Sequence, residues 1–139
     1  MRAPSSFDYA VLRWVPRVER EEFLNAGVIL YCHARDFLES SVRLEPARAL
    51  ALVPGADLEL VSKHLLSIPR VCRGGPEAGP LGKLSMKERF HWLVAPRSSS
   101  IQTSAVHTGR CATPALMLDQ LMRKMVRPAG RITPRQPAA

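Results

Sequence analysis

The sequence predicts an α+β fold, in which an antiparallel sheet of three N-terminal strands and a later extended segment carries helices mainly on one face. Segments rich in aromatic and β-branched residues occupy the first third of the chain and predict strands. Apolar residues at helical spacing follow in the middle and again near the C-terminal end. One further extended segment, rich in serine and threonine, separates these two helical regions.

The three N-terminal strands are predicted from the alternation of apolar and polar residues. FDYAVLRWV, residues 7–15, predicts a strand that Pro16 ends. AGVILYC, residues 26–32, is apolar on both faces and predicts a central strand that is covered on both sides. FLESSVRL, residues 37–44, predicts a half-buried strand. Because the link HARD is short, we expect the second and third strands to form a hairpin.

Two helices are predicted after the third strand. Pro46 suits the first position of a short helix that ends near Pro54. Asp57 is the predicted N-cap of the next helix. The buried stripe of that helix is predicted to consist of Leu58, Val61, Leu65 and Ile68.

The segment after this helix, RVCRGGPEAGPLG or residues 70–82, is rich in glycine and proline and is predicted to be a loop. Ser85 and Glu88 then form a capping box, which predicts a short helix to about Val94. The alternation in RFHWLV leaves a strand as the alternative. The pair TP at 113–114 predicts the start of the last helix. Its apolar stripe is predicted to consist of Leu118, Leu121, Met122 and Met125.

Length and composition predict one domain over residues 1–126, followed by a basic, proline-rich and disordered tail over residues 127–139. The chain has 139 residues and a formal net charge of +8, with 16 arginines against 4 lysines. Arginine offers a planar fork of donors that suits phosphate and carboxylate groups, so an anionic partner is expected. A codon bias of a GC-rich bacterial genome is the alternative explanation of the arginine excess.

The cysteine and histidine patterns predict no metal site and no cofactor. Cys32, Cys72 and Cys111 lack paired spacing, which is typical of reduced thiols in a cytoplasmic protein. The four histidines lie far apart in the chain. No secretory signal is predicted, and no apolar run approaches the length of a membrane helix. Motifs of nucleophilic catalysis and of sequence-specific DNA binding are absent from the sequence.

The segment EREEFLNAG is the first candidate for a functional site. It places Arg20, Glu22 and Asn25 directly before a predicted buried strand. Polar residues at the mouth of a rigid strand are a common way to build a site. The alternative is a solvated turn whose charged side chains pair with each other.

The second candidate is PRSSSIQTSAVHTG, in which Arg97 and Ser98 offer donors to an anion or a partner. His107 is a candidate general acid or base, or a hydrogen-bonded histidine of a sheet. In a regular extended segment Gln102 and Thr108 share one face and His107 lies on the other. We therefore expect Gln102 and His107 to point in opposite directions unless a bulge intervenes.

The segments YAVLRWVPRVEREEFLNAGVILYC and ERFHWLVAPRSSSIQTSAVHTGRC together resemble a family of short bacterial proteins. It is catalogued as domain of unknown function three thousand and thirty-seven, and the resemblance covers about residues 7–126. It implies no known activity, fold or cofactor. It implies a protein partner, because members are often encoded beside a HipA-like kinase. The residues that match the two patterns are Arg20, Glu22, Asn25, Gly27, Arg97, Ser98, Gln102, His107, Thr108 and Gly109. Ala105 departs from the second pattern, in which a proline is expected, so we expect a looser turn before the histidine.

Three functions remain open at this point. The first is a non-enzymatic accessory or regulatory partner of a kinase-like neighbour. The second is a phosphate- or nucleotide-directed enzyme, in which Arg20 and Arg97 hold the anion while Glu22 and His107 move protons. It requires both segments to meet in one pocket. The third is nonspecific nucleic-acid binding through the basic body and tail.

Overall fold

An antiparallel sheet of five strands forms the centre of the fold, in agreement with the predicted α+β class. The computed structural model describes residues 3–97 and 99–128. The strands are β1 (Ser5–Trp14), β2 (Leu24–Cys32), β3 (Phe37–Val42), β4 (Ile101–Thr103) and β5 (His107–Cys111). The α-helices are α1 (Pro46–Leu52), α2 (Leu58–Arg73), α3 (Met86–Val94) and α4 (Pro114–Met125). Short 3-10 helices occupy Val18–Arg20, His33–Arg35 and Pro76–Lys83.

The sheet runs in the order β3, β2, β1, and both β4 and β5 pair with the free side of β1. The predicted hairpin of β2 and β3 is confirmed, since the two strands are antiparallel neighbours. The central position predicted for β2 is confirmed as well, because β2 lies between β1 and β3. The later extended segment joins the sheet as two short strands rather than one.

Alternate residues of β1 and β2 face opposite layers of the molecule. Phe7 and Val28 pack against α4, and we call this side the α4 face. Leu12 and Ile29 pack against α2 and α3, and we call this side the α2 face. Ala49 of α1 also packs on the α2 face. Among the described residues, three α-helices thus cover one face and α4 covers the other, so the helices do lie mainly on one face.

Part of the segment that follows the predicted second helix was wrongly expected to be a loop. Helix α2 continues through Pro69 to Arg73, so the loop prediction is wrong for residues 70–73. Two short 3-10 turns, separated by the non-helical backbone of Gly79, follow within Pro76–Lys83. The reason is that the apolar stripe of α2 continues past the proline, because Val71 and Cys72 are both buried against the sheet. Glycine and proline in this segment end the helix only at Gly74, which has a φ of 72°.

The capping box at the start of α3 is confirmed, and the strand alternative is wrong. The Glu88 amide donates to Ser85 Oγ at 3.1 Å, and the Ser85 amide donates to Glu88 Oε1 at 3.2 Å. Hydrogen bonding of the Glu88 carboxyl to the Ser85 hydroxyl, and to the Ser85 amide, lowers the pKa of that carboxyl below its ordinary value. Helix α3 then buries Phe90 and Leu93 against the α2 face.

Arg89 joins the end of α2 to the start of α3 from a buried position. Its Nη1 donates to the Leu84 carbonyl at 2.6 Å, and its Nη2 donates to the Cys72 carbonyl at 3.3 Å. A Cβ atom at Gly74 would lie only 2.9 Å from the Arg89 guanidinium carbon. The guanidinium therefore fills the space in which α2 ends and satisfies carbonyls on both sides of the turn.

Replacing Arg89 by methionine is expected to lower the free energy of unfolding by about 2 kcal/mol, because two carbonyls lose their donor. The change is measured by urea denaturation followed by circular dichroism. The matched control is Arg73→Met, which removes an exposed arginine at the end of the same helix and is expected to cost less than about 0.5 kcal/mol. Equal stability of the two variants would contradict the role of Arg89.

Burial raises the pKa of the Cys72 thiol from 9.0 to about 11. Because the folded value lies above the unfolded one, the contribution to stability is present below pH 9 and is lost as the pH rises from 9 to 11. We expect the free energy of unfolding to fall more steeply over this range in the natural chain than in Cys72→Ala. Urea denaturation at pH 8 and pH 10.5 measures the difference, and parallel slopes would contradict it.

No helix of the described residues is long and apolar enough to cross a membrane. Within the same residues, no group of three or more histidines, cysteines or carboxylates is placed to hold a metal ion. Of the predicted disordered tail, only Arg127 and Pro128 lie within the described residues, and the rest of that prediction falls outside them.

Candidate anion-binding site

The two candidate segments meet on either side of Arg13, in the middle of the sheet. Arg13 of β1 pairs with Asn25 of β2 on one side and with Gln102 of β4 on the other. Since neighbouring strands lie about 4.8 Å apart, the two flanking residues are about 10 Å from each other across the sheet. We call these three residues the polar row.

The polar row lies on the α4 face, beyond the C-terminal end of α4. Residues two apart in a strand share a face, and Leu12 and Trp14 pack on the α2 face, so Arg13 between them faces the other way. A bulge in β2 between the partners of Leu12 and Arg13 brings Asn25 into line with the arginine.

A second bulge places Gln102 and His107 on the same face, so the prediction that they point in opposite directions is wrong. Leu12 pairs with Thr103 and Tyr9 pairs with His107, which leaves one extra residue on the side of β4 and β5. One extra residue turns every following side chain to the other face. His107 therefore lies on the α4 face, where its ring is 5.3 Å from that of Tyr9.

Ser104 holds this second bulge in place. Its amide donates to the Val11 carbonyl at 2.9 Å, and its Oγ accepts a hydrogen bond from the Val11 amide at 2.9 Å. The hydroxyl thus takes the place of a backbone carbonyl in the ladder. Because Ser104 is buried and bonded in this way, the register between the two short edge strands is well defined.

The guanidinium of Arg13 contains the buried donor of the polar row that has no hydrogen-bond partner among the described residues. Its Nε is buried and has no partner within residues 3–97 and 99–128, and no carboxylate of these residues forms an ion pair with it. Its Cζ lies 4.1 Å from the centre of the Phe23 ring, which is 45% exposed. Stacking on the ring fixes the plane of the guanidinium while its outer edge stays free.

Asn25 connects the polar row to the end of α4. Its Nδ2 donates to the Met125 carbonyl at 3.0 Å, and Arg48 of α1 donates to the next carbonyl, that of Val126, at 3.3 Å. The last carbonyls of a helix have no partner within the helix and carry partial negative charge. Asn25 therefore has a structural role, as a cap of α4, in addition to its place in the row.

Replacing Asn25 by alanine is expected to lower the free energy of unfolding by about 1 kcal/mol, because the Met125 carbonyl loses its donor. In Asn25→Asp the side chain keeps nearly the same shape, but the free energy of unfolding is expected to fall further than in the alanine variant. The reason is that a carboxylate would then face the negative end of α4. Urea denaturation at pH 7 measures both. A more stable aspartate variant than alanine variant would show that this carbonyl contact does not hold the helix end.

Arg20 and Glu22 lie away from the polar row, in a cavity of about 240 Å³ beside the end of α1. The two side chains form an ion pair with each other. The residues that line this cavity are Pro16, Arg17, Arg20, Glu22, Leu52, Val53 and Pro54. The cavity adjoins the C-terminal end of α1 and the turn after β1. The left-handed backbone of Glu21, with a φ of 55°, turns the chain between the paired residues.

The remaining predicted residues of the second segment do not join the row, although Arg97 and Gln102 line the same cavity of about 230 Å³. Arg97 folds back onto the end of α3, where its Nη2 donates to the Trp92 carbonyl at 2.6 Å and its Cζ lies 4.5 Å from the centre of the Trp92 ring. Thr108 pairs with Asp8 and is exposed. Ser98 lies outside the described residues.

Arginines surround the C-terminal end of α4 next to the polar row. Arg43 and Arg127 line a cavity of about 250 Å³ beside Met122. Arg43 pairs with Glu45, and Asp119 pairs with Arg123 and Arg127. Arg48 of α1 lies here as well, since it donates to the Val126 carbonyl. Four arginines therefore share the two carboxylates of Glu45 and Asp119. This end of the α4 face is therefore positively charged.

The polar row is suited to hold an anion and unsuited to catalysis by itself. Arginine, asparagine and glutamine side chains donate hydrogen bonds, and none of them takes up a proton near neutral pH. His107 is the nearest titratable side chain of the two segments on this face, and its strand partner Tyr9 lies four residues, or about 13 Å, along β1 from Arg13. Binding without chemical conversion is the property that this geometry supports.

A family of proteins described as "Protein of unknown function (DUF3037)" matches residues 9–126. The chain belongs to this family. The matched part begins in β1 and ends directly after α4, so it contains the whole polar row and the helix end beside it. No curated protein and no solved structure matches the chain.

Arg13 and Phe23 were not among the residues singled out in the sequence. The signal for Arg13 was its position as the only charged residue in the apolar run AVLRWV. An arginine there either faces solvent or has a specific role, and alternation alone does not distinguish the two. Phe23 gave no signal, because an aromatic residue before a strand is usually part of the core.

Proposed function

We propose that this member of the family is a non-enzymatic accessory protein, which binds an acidic surface of a protein partner through the polar row and the arginines around the end of α4. The observation that carries the proposal is the convergence of both candidate segments on Arg13, whose guanidinium has no carboxylate partner among the described residues. An arginine held in this way is ready to pair with a carboxylate from another chain.

The residue types and the charge around the row support a protein interface. Arginine and aromatic side chains contribute most to the affinity of many interfaces, and Arg13 stacks on the exposed Phe23. The stretch 89–118, which supplies β4 and β5, contains no aspartate or glutamate. An acidic partner would therefore meet little repulsion at this edge of the sheet.

The enzyme alternative receives less support from the geometry. It needs Arg20 and His107 in one pocket, but Arg20 lines a cavity beside the end of α1 and forms an ion pair with Glu22, whereas His107 packs on Tyr9 on the α4 face. The ends of β1 near which they lie, Trp14 and Tyr9, are about 16 Å apart along the strand.

Nonspecific nucleic-acid binding is a second candidate, and the arginines at the end of α4 favour it. Arg131 and Arg135 in the following residues add positive charge without any acid. Contacts with phosphates make affinity fall steeply with salt concentration. A fluorescence-anisotropy titration of a labelled DNA duplex at 50 and 200 mM salt would show this loss, and affinity that is independent of salt would argue against the candidate.

The partner that the family resemblance suggests is a HipA-like kinase, and co-purification tests it. The chain and a HipA-like kinase are co-expressed, and the complex is measured by size-exclusion chromatography with light scattering. We expect one complex peak, which Arg43→Glu weakens and Lys63→Glu on the outer surface of α2 leaves unchanged. Separate elution of the two proteins at low salt would refute the proposed partnership.

A further inference from the structure

The guanidinium of Arg13 is held in place without a partner for its charge. Its Nε is buried without a hydrogen bond in the described part of the chain, and an unmet buried donor destabilises the folded state. The Phe23 ring lies 4.1 Å below it and restricts its rotation. The donors that a ligand can reach are the outer Nη groups, and it would contact them without first ordering the side chain.

The amides on both sides of Arg13 are fixed by contacts that use only part of their capacity. Gln102 Nε2 donates to the Ser99 carbonyl at 2.9 Å, and Asn25 Nδ2 donates to the Met125 carbonyl. Each amide nitrogen carries two hydrogens, so each retains one donor. These donors flank the arginine at the spacing of neighbouring strands, and they add hydrogen bonds to an oxyanion held in the middle.

We propose that Arg13 binds a single carboxylate, contributed by an aspartate or glutamate side chain of the partner protein. The proposal rests on the proposed function for the identity of the partner. A guanidinium fork matches the two oxygens of a carboxylate with two parallel hydrogen bonds. The exposed Phe23 beside it offers contact area to an apolar residue next to the acid in the partner's sequence.

A carboxylate fits this site better than a phosphate does. The row contains one cation, which balances one negative charge. The arginines around the end of α4 are engaged with Glu45, Asp119 and the Val126 carbonyl, so among the described residues Arg13 alone is left to balance the charge of the ligand. The partner's acid is therefore an unmodified aspartate or glutamate rather than a phosphorylated residue.

The test uses the NMR signal of the Arg13 Nε–Hε group in the complete, isotope-labelled chain. Sodium acetate, sodium chloride and sodium phosphate are titrated at constant ionic strength. The peptide acetyl-Leu-Asp-Leu-amide is then compared with acetyl-Leu-Asn-Leu-amide. We expect a saturable shift with acetate, a half-saturation concentration at least tenfold lower with the aspartate peptide, and no saturation with the asparagine peptide or chloride. The Nε signal of the exposed Arg17 is the internal control and is expected not to saturate.

Two variants keep the test decisive. Arg13→Lys retains the charge but loses the fork, and is expected to lose peptide binding. Phe23→Ala removes both the stacking that orients the guanidinium and the exposed apolar contact. It is expected to weaken binding of the peptide by a larger factor than binding of acetate, because acetate loses only the first of these. A shift that saturates at lower phosphate than acetate concentration, or one that is equal for Arg13 and Arg17, would overturn the inference.

The outcome is separable from that of the proposed function. If acetate and the aspartate peptide saturate the Arg13 signal while no partner complex forms, the carboxylate site stands and the proposed partnership fails. If the complex forms and Arg13→Lys leaves its affinity unchanged, the partnership stands and the carboxylate site fails.

Discussion

Replacing Arg13 by glutamate is expected to weaken the proposed complex with an acidic protein partner by about 100-fold, equivalent to about 3 kcal/mol of binding free energy. The variant removes a preoriented cation and places a like charge opposite the partner's carboxylate. Isothermal titration calorimetry at 100 mM salt measures the loss. Arg13 lies in a strand that is paired on both sides, so the substitution is made within the sheet. Circular dichroism is therefore used to confirm that the variant is folded.

The matched control for this prediction is Arg17→Glu, which makes the same change of charge in the exposed turn after β1. Long-range attraction alone would make both variants lose affinity by a similar factor of less than about ten. Equal losses in Arg13→Glu and Arg17→Glu would show that net charge, and not the polar row, determines binding.

The largest effect on stability is expected from Gly27→Ala, in the part of β2 that holds the bulge. A Cβ at this position would lie 2.5 Å from the Ser41 carbonyl oxygen and 2.9 Å from Leu12 Cδ1. The carbonyl belongs to the backbone of β3 and has no room to move within the sheet. We expect the free energy of unfolding to fall by about 3 kcal/mol, measured by urea denaturation.

Gly109→Ala is the comparison for this variant. Its Cβ would meet the tip of the Phe7 ring at 2.7 Å, and a ring can turn where a strand cannot. We expect a loss of about 1 kcal/mol there. A larger loss in Gly109→Ala than in Gly27→Ala would mean that the backbone of β2 and β3 adjusts more freely than the packing suggests.

The fold class and most elements follow from local patterns. The apolar run of β2 with both faces covered, the capping box at Ser85 and the proline at the start of α4 each have one strong physical explanation. The exception was α2, in which Pro69 and the glycines after it suggested a loop. Burial of Val71 outweighed that local preference.

The candidate site was only partly predictable, because its geometry depends on strand register. The polar character of the residues around Asn25 and Gln102 was visible in the sequence. Their meeting at Arg13 depends on two bulges, and the one between β4 and β5 also brings His107 to the α4 face. A bulge is one extra residue in one strand, and without the partner strand it leaves no mark in the pattern.

The segment around Arg97 shows a second reason why the site could be predicted only in part from the sequence. An arginine beside a run of serines suggests an anion contact, but Arg97 donates to a carbonyl at the end of its own α3 helix. Which acceptor an arginine reaches depends on how the chain turns after Pro96. By contrast, the ion pair of Arg20 and Glu22 lies within a short turn, and pairing was the alternative already open from the sequence.

The most direct test of the central claim is an NMR map of backbone amide shifts in the chain on addition of the proposed partner, a HipA-like kinase, at saturating concentration. We predict the largest shifts at Arg13, Phe23, Asn25 and Gln102, which together mark the α4 face beyond the end of α4. Shifts concentrated on the outer surface of α2, or no shifts at all, would contradict the claim that the partner binds at the polar row.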